Sequence, residues 1–253
     1  MFQRINGAML RTVAFGDGPR TLVAHGGWTA AWALWEGPFE LLSPGWRCVG
    51  FDHRGAGASR VDPSSITVDA MVDDLIGVLD AHGIERCVLA AESMGGLIAR
   101  VAAQRHPERF DGLVLIASPY GLGTGAHPLA VGARRDYPAT VAAFVAACLP
   151  EPGTEHLASF GRHMLLEADP DCAAVLMECC AGLEPDHAAI RTPTVLVYGG
   201  ADAVVPPSEG ERLAAALPDA TLYVLDGIGH VPPLTAPGEV AAIIERHFGA
   251  GTR

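Results

Sequence analysis

Lysine is absent from this chain: all 17 of its basic residues are arginine. Without an ε-amine there is no Schiff-base chemistry, no pyridoxal anchor, no P-loop lysine and no Ser–Lys dyad. Charge is sparse, at 18% of residues, and aromatics make up only 6%. The arginines are outnumbered by 29 acids, for a formal net charge of −12, which excludes a nucleic-acid binder that tracks phosphates. No apolar run approaches the ~18 residues of a membrane span. The opening Met1-Phe2-Gln3-Arg4-Ile5-Asn6-Gly7 lacks the long apolar stretch of a secretory signal. Six cysteines in 253 residues do not make a disulfide scaffold, and Cys48 and Cys87 open apolar runs as buried thiols do. The expectation is a cytoplasmic protein. Residues of the AVILMFWYC set reach 49%, which excludes a disordered chain and supplies a sizeable core.

Short apolar runs alternate with helical patterns in the first part of the chain. Thr21-Leu22-Val23-Ala24, Cys48 to Phe51, Cys87 to Ala91 and Leu113 to Ala117 are runs of the kind that suit strands covered on both faces of a parallel sheet. Between them, Val68 to Ala81 sets Met71, Leu75, Val78 and Leu79 at helical spacing and stops at Gly83. Met94 to Arg105 is a second helix, ending before Pro107. The order β-α-β-α-β predicts an α/β fold with a mostly parallel, doubly wound sheet and right-handed crossovers. Residues 5–15, broken at Gly7, predict an antiparallel hairpin at its start. From Leu122 to Ile190 no strand run occurs. Thr154 is expected to cap a helix carrying Leu157, Phe160, Met164 and Leu165. Asp169-Pro170 caps another, with Cys172, Val175, Leu176, Cys179, Cys180 and Leu183 on one stripe. Strands return at Thr194 to Tyr198 and Thr221 to Leu225, before a last helix from Pro237 to Phe248. The organisation expected is a core of residues 1–121 and 191–253 with a helical cap insertion at 122–190.

The strongest chemical signal is Ala91-Glu92-Ser93-Met94-Gly95-Gly96, where an apolar run ends and a helix begins. A serine there sits on a tight turn with its hydroxyl above the sheet, and the turn needs small neighbours, which Ala91, Gly95 and Gly96 provide. Taken alone, Ser93 also reads as a helix N-cap. Two further loops favour the chemical reading. Tyr198-Gly199-Gly200-Ala201-Asp202 puts a carboxylate at one strand's C-terminal end, and Gly227-Ile228-Gly229-His230 puts an imidazole at another. Catalytic groups in open α/β sheets gather at that edge. Serine becomes a useful nucleophile when His230 takes its proton and Asp202 fixes the tautomer of His230. A tetrahedral oxyanion needs backbone donors: the amide of Met94, and that of Gly27 in His25-Gly26-Gly27-Trp28. Trp28 is expected to line the substrate pocket. Glu92 reads either as a second acid or as a residue binding a loop.

These residues resemble the α/β-hydrolase fold superfamily over nearly the whole chain. The likeness is carried by His25-Gly26-Gly27-Trp28, Asp52-His53-Arg54-Gly55-Ala56-Gly57-Ala58-Ser59, the Ser93 elbow, Asp202 and His230. Ala91 departs from the first glycine of G-x-S-x-G, and only a small side chain is required there. Within the superfamily the chain is similar to small, capped, cofactor-free esterases, lactonases and perhydrolases. The resemblance implies that Asp52 to Ser59 is a structural turn and that Asp202, rather than Asp226, is the acid.

The 122–190 segment holds three arginines against nine acids, which disfavours polyanionic substrates. Its apolar positions Phe144, Phe160 and Met164 are expected to line a hydrophobic acyl or lactone pocket. His156, His163, Cys172, Cys179 and Cys180 lack metal-ligand spacing, and no metal is expected. The sequence therefore predicts a cofactor-independent serine hydrolase acting on a small-molecule ester or lactone, with no nucleic-acid or membrane partner. Close alternatives are a perhydrolase, a carbon–carbon bond hydrolase, and a sensing module that keeps Ser93, Asp202 and His230 but turns over slowly.

Overall fold

In a computed structural model, which describes residues 1–249, eight strands form one sheet in the order β1-β2-β4-β3-β5-β6-β7-β8. β1 (Phe2–Ile5) and β2 (Ala8–Phe15) are the expected antiparallel hairpin. It turns through Asn6 and Gly7, both at positive φ, as a two-residue hairpin loop matching strand twist requires. From β3 (Arg20–His25) onward every neighbouring pair is parallel: β4 (Trp46–Phe51), β5 (Cys87–Glu92), β6 (Phe110–Ile116), β7 (Thr194–Gly199) and β8 (Ala220–Leu225). Every residue of β5 and β7 is buried, which explains the apolar runs Cys87 to Ala91 and Val195 to Tyr198 within them. β8 is different. It has one neighbour, so alternate positions open to solvent and Val224 is 48% exposed.

β3 lies between β4 and β5, so the winding direction reverses there. Loops leaving β3 and β5 diverge to opposite sides and leave a crevice between them. In the β3–β5 register His25 stands opposite Ala91, so Gly26-Gly27 and Glu92-Ser93 emerge side by side.

Helices α1 (Glu36–Leu42), α2 (Val68–Ala81) and α3 (Gly95–Arg105) connect these strands. Thr67 Oγ1 caps α2 by accepting from the Ala70 N–H at 3.1 Å, and Gly83 follows its end at φ +63°. Between β6 and β7 run α4 (Pro128–Cys148), α5 (Glu155–Leu165) and α6 (Pro170–Cys179). α4 breaks at Asp136, ahead of Pro138, and Asp136 Oδ1 restarts the helix by accepting from the Ala139 N–H at 3.0 Å. α7 (Pro207–Ala216), α8 (Pro232–Thr235) and α9 (Pro237–Phe248) complete the order.

Two local expectations change. Thr154 precedes α5 but does not cap it, because its hydroxyl donates to the Glu151 carbonyl at 2.6 Å. α6 stops at Cys179 instead of carrying its stripe to Leu183: Gly182 turns at φ +70°, and Ala181 bridges to Leu122. Asp169 does cap α6, accepting from the Asp171 N–H at 2.8 Å.

The turn after β4 is held by its own side chains. Asp52 accepts from the Trp32 and Ala58 amides, each at 2.9 Å, and Ser59 Oγ donates to the Asp52 carbonyl at 2.6 Å. Arg54 reaches α2 through a bidentate pair with Asp74, at 2.7 and 2.8 Å, with both side chains buried. Replacing Asp74 by Ala leaves a guanidinium buried without its anion. The expected loss is about 3–5 kcal/mol, measurable as a lowered midpoint in urea denaturation followed by circular dichroism.

Candidate active site

β5 runs into α3 through Ser93, whose φ of +50° is a strained left-handed conformation for a residue with a side chain. The turn is tied down by the Ser93 N–H donating to the Ile116 carbonyl at 2.8 Å. It also explains the two glycines that follow. A Cβ on Gly95 would collide with the Gly26 carbonyl, and one on Gly96 with Ser118 Oγ. The left-handed turn and the tight helix together lift Ser93 Oγ above the sheet edge.

The two remote loops reach the same point. His230 Nε2 lies 3.1 Å from Ser93 Oγ, and its Nδ1 lies 2.8 Å from Asp202 Oδ2. Asp202 is itself fixed, its Oδ1 accepting from the Val204 and Val205 amides at 2.8 and 2.9 Å. The Nδ1 contact with a carboxylate places the proton there and leaves Nε2 bare toward the serine. Both Asp202 and His230 are buried. Burial opposes a charge on His230, but the hydrogen bond to Asp202 and the fields of Glu92 and Asp202 outweigh it and hold the imidazole above its ordinary range.

Glu92 is drawn into the same cluster. Its Oε1 is 3.5 Å from His230 Nε2, and its Oε2 lies close against Gly27. Burial pushes this carboxyl up to about 7, against the opposing pull of His230. A Cβ on Gly27 would collide with Glu92 Oε2 and come within 2.9 Å of Ser93 Cβ, so glycine is what lets the β3 loop close over the carboxyl. Behind it, His25 and His53 stack at 4.8 Å, and burial drives His25 down to about 3, so that ring is neutral.

Ser93 borders two cavities. One, of about 50 Å³, is almost wholly apolar and is lined by Gly27, Trp28, Phe144, Met164 and Leu234, with Glu92 and His230 at its floor. The other, of about 400 Å³, is more polar and more open, with Met94, Pro119, His127, Glu209 and Arg212 around it. Trp28 is anchored by Nε1 donating to the Ala173 carbonyl at 2.8 Å and meets Phe144 edge-on at 5.3 Å. Phe160 lines neither cavity. One step round α5 from Gly161, which does face the small one, it packs partly buried against the core.

Three contributors carry no signal in the sequence. The end of α4 grips the histidine loop: the His230 N–H donates to the Cys148 carbonyl at 2.9 Å, and the Gly229 N–H to Glu151 Oε1 at 2.7 Å. Arg100 is fully buried on α3 and donates to the carbonyls of Pro119 and Tyr120, fixing the wall of the larger cavity. Such pairings join residues far apart in the chain, so no local spacing announces them. Among the described residues, no group of three or more His, Cys, Asp or Glu could hold a metal ion, and no helix is long and apolar enough to cross a membrane.

Residues 20–232 match the family model described as serine aminopeptidase, S33. The pimeloyl-[acyl-carrier protein] methyl ester esterase of Aromatoleum aromaticum is 31% identical over 71% of this chain and 79% of its own. The strigolactone esterase D14 of Arabidopsis thaliana is 27% identical over 91% of this chain and 93% of its own. A thermophilic esterase from Thermogutta terrifontis superposes with a TM-score of 0.87 at 26% identity, covering 97% of this chain and 96% of that one. With a serine at the turn between strand and helix, and a family model spanning most of its length, the chain belongs to the serine aminopeptidase S33 family and is an enzyme of the α/β-hydrolase fold.

Proposed function

We propose that the protein hydrolyses a small carboxylic ester or lactone through an acyl-enzyme on Ser93. The observation that carries this reading is the buried hydrogen-bonded chain Asp202–His230–Ser93, ending at the mouth of an apolar cavity. The protein is a carboxylic ester hydrolase, the activity for which the esterases it is similar to are named.

In this mechanism Ser93 Oγ attacks the substrate carbonyl as His230 Nε2 takes its proton. Asp202 holds the ring by Nδ1 and stabilises the imidazolium. The carbonyl oxygen becomes an oxyanion held by the amides of Gly27 and Met94, the latter at the start of α3 where the helix dipole favours negative charge. His230 then passes its proton to the leaving oxygen. A water, deprotonated by His230, hydrolyses the ester on Ser93 and regenerates the hydroxyl. Side chains and backbone supply every step, so no cofactor enters. Residues 122–190 act as a cap: its Phe144 and Met164, with Trp28 of the β3 loop, exclude water from the small cavity and select short acyl groups.

Hydrolysis of p-nitrophenyl esters of rising acyl length and of a lactone panel tests this. Wild type is expected to turn over repeatedly and to prefer acetyl and butyryl over octanoyl esters. Ser93→Ala should lose turnover while keeping its circular dichroism spectrum; a folded mutant with undiminished activity rejects the acyl-enzyme. Asp202→Asn should lower kcat by roughly 10⁴-fold, because it favours the wrong tautomer of His230. Gly27→Ala, whose new methyl must displace Glu92 or Ser93, should cost on the order of 100-fold in kcat/KM.

A further inference from the structure

The catalytic chain just described does not use Glu92. We infer that Glu92 is a second carboxylate partner of His230, on the side opposite Asp202, which stabilises the imidazolium formed as Ser93 loses its proton and so sets the pH range of the base. This rests on the acyl-enzyme reading above.

Glu92 is buried at the end of β5 with its carboxyl on the floor of the small cavity. Oε1 lies 3.5 Å from His230 Nε2, and Oε2 lies against Gly27. The charged and titratable groups around His230 come from several elements. Asp202 follows β7, Glu92 ends β5, and Cys148 lies at the end of α4 with its thiol pushed up by burial. Glu151 grips Gly229, and His25 and His53 stand behind Gly26 and Gly27, both pushed down by burial. Among the described residues the groups that act on the charge of His230 are thus carboxylates, and the cation acting on Glu92 is His230 itself.

That arrangement gives Glu92 a differential role. Glu92, with burial pushing it up to about 7, exchanges its proton near neutrality, and only the neutral form of His230 can take the proton of Ser93. When Ser93 Oγ bonds to the substrate carbon, its proton passes to His230 Nε2. The positive ring then faces an anion in a buried, mostly apolar site, an interaction made in the transition state and not in the ground state. The sign for pH follows. Glu92 raises the affinity of His230 for protons, so the neutral base is lost at a higher pH as solution is acidified than it would be without that charge.

The test is the pH profile of kcat/KM. Glu92→Gln keeps volume and an oxygen facing Gly27 but removes the charge. The acid limb is expected to move to lower pH by about one unit, since an opposite charge at this range shifts a pKa by roughly 1–3 units. The plateau is expected to fall roughly tenfold, the equivalent of one such unit. Glu92→Asp, which keeps the charge at greater distance, should return the limb toward wild type. A Gln variant with the wild-type acid limb overturns the proposal, whatever its stability. Should Glu92→Gln fail to fold, the wild-type enzyme is titrated by infrared spectroscopy. The protonated-carboxyl band expected near neutral pH should vanish when an organophosphonate on Ser93 locks His230 as imidazolium. A band indifferent to the adduct, or no such band, overturns the proposal. Ser93→Ala separates the two levels: full turnover in that mutant removes both readings, whereas an inactive Ser93→Ala with an unmoved limb in Glu92→Gln removes only the role of Glu92.

Discussion

Everything at the site depends on how closely the loops after β3 and β5 approach each other. These strands are neighbours at the point where the sheet's winding reverses, and their register brings Gly26-Gly27 against Glu92-Ser93. There is no room for a Cβ on Gly27 or Gly95 between them. Gly95 packs on the Gly26 carbonyl, Gly27 covers the Glu92 carboxyl, and Ser93 accepts a left-handed backbone to face upward. The strain, on the order of 1–3 kcal/mol for such a residue, is carried by the buried strands on both sides. A looser junction would let Ser93 relax, and its hydroxyl would lose its aim at His230.

The second constraint is electrostatic. The chain is strongly acidic, and the site concentrates that bias: two buried carboxyls flank one imidazole. In a dry cavity a lone charge is costly, so each carboxyl gains most when the ring turns positive. Arg100, the large buried cation, is spent elsewhere, on backbone carbonyls and on His187, a histidine that burial drives down to about 4. The positive charge that can face both carboxyls is that of His230 itself.

The helical segment between β6 and β7 is tied to the site by hydrogen bonds. Its α4 terminus holds the histidine loop through Cys148 and Glu151, while Trp28 from the β3 loop is pinned to Ala173 in α6. The segment, the small cavity and His230 are thus mechanically one unit. This is also where sequence reasoning was weakest. Helical periodicity marked α5 and α6, yet it could not tell that Gly161 rather than Phe160 faces the cavity, because which face of a helix looks inward depends on its partners. Thr154 failed as a cap for the same kind of reason: its hydroxyl found a nearer acceptor in Glu151.

What the sequence by itself determined is local. Apolar runs marked the buried strands because a sheet covered on both faces has no polar side. Val68–Ala81 and Pro237–Phe248 were legible to the residue, because caps and prolines act within one turn of the chain. The positions of Ser93, Asp202 and His230 were legible because each follows a strand that an apolar run announces. Tertiary structure alone decided the rest: the edge position of β8, the pairing of Arg54 with Asp74, and the grip of Glu151 on Gly229. It also decided where Glu92 points. One sequence position beside Ser93 is compatible with a loop anchor or an acid facing His230, and the packing of the β3 loop and the α4 terminus around the sheet edge brings the carboxyl close to both Gly27 and His230. Hydrogen bonds and charge interactions act over a few ångströms, whatever the separation along the chain, so the fold has to bring the partners together before they exist.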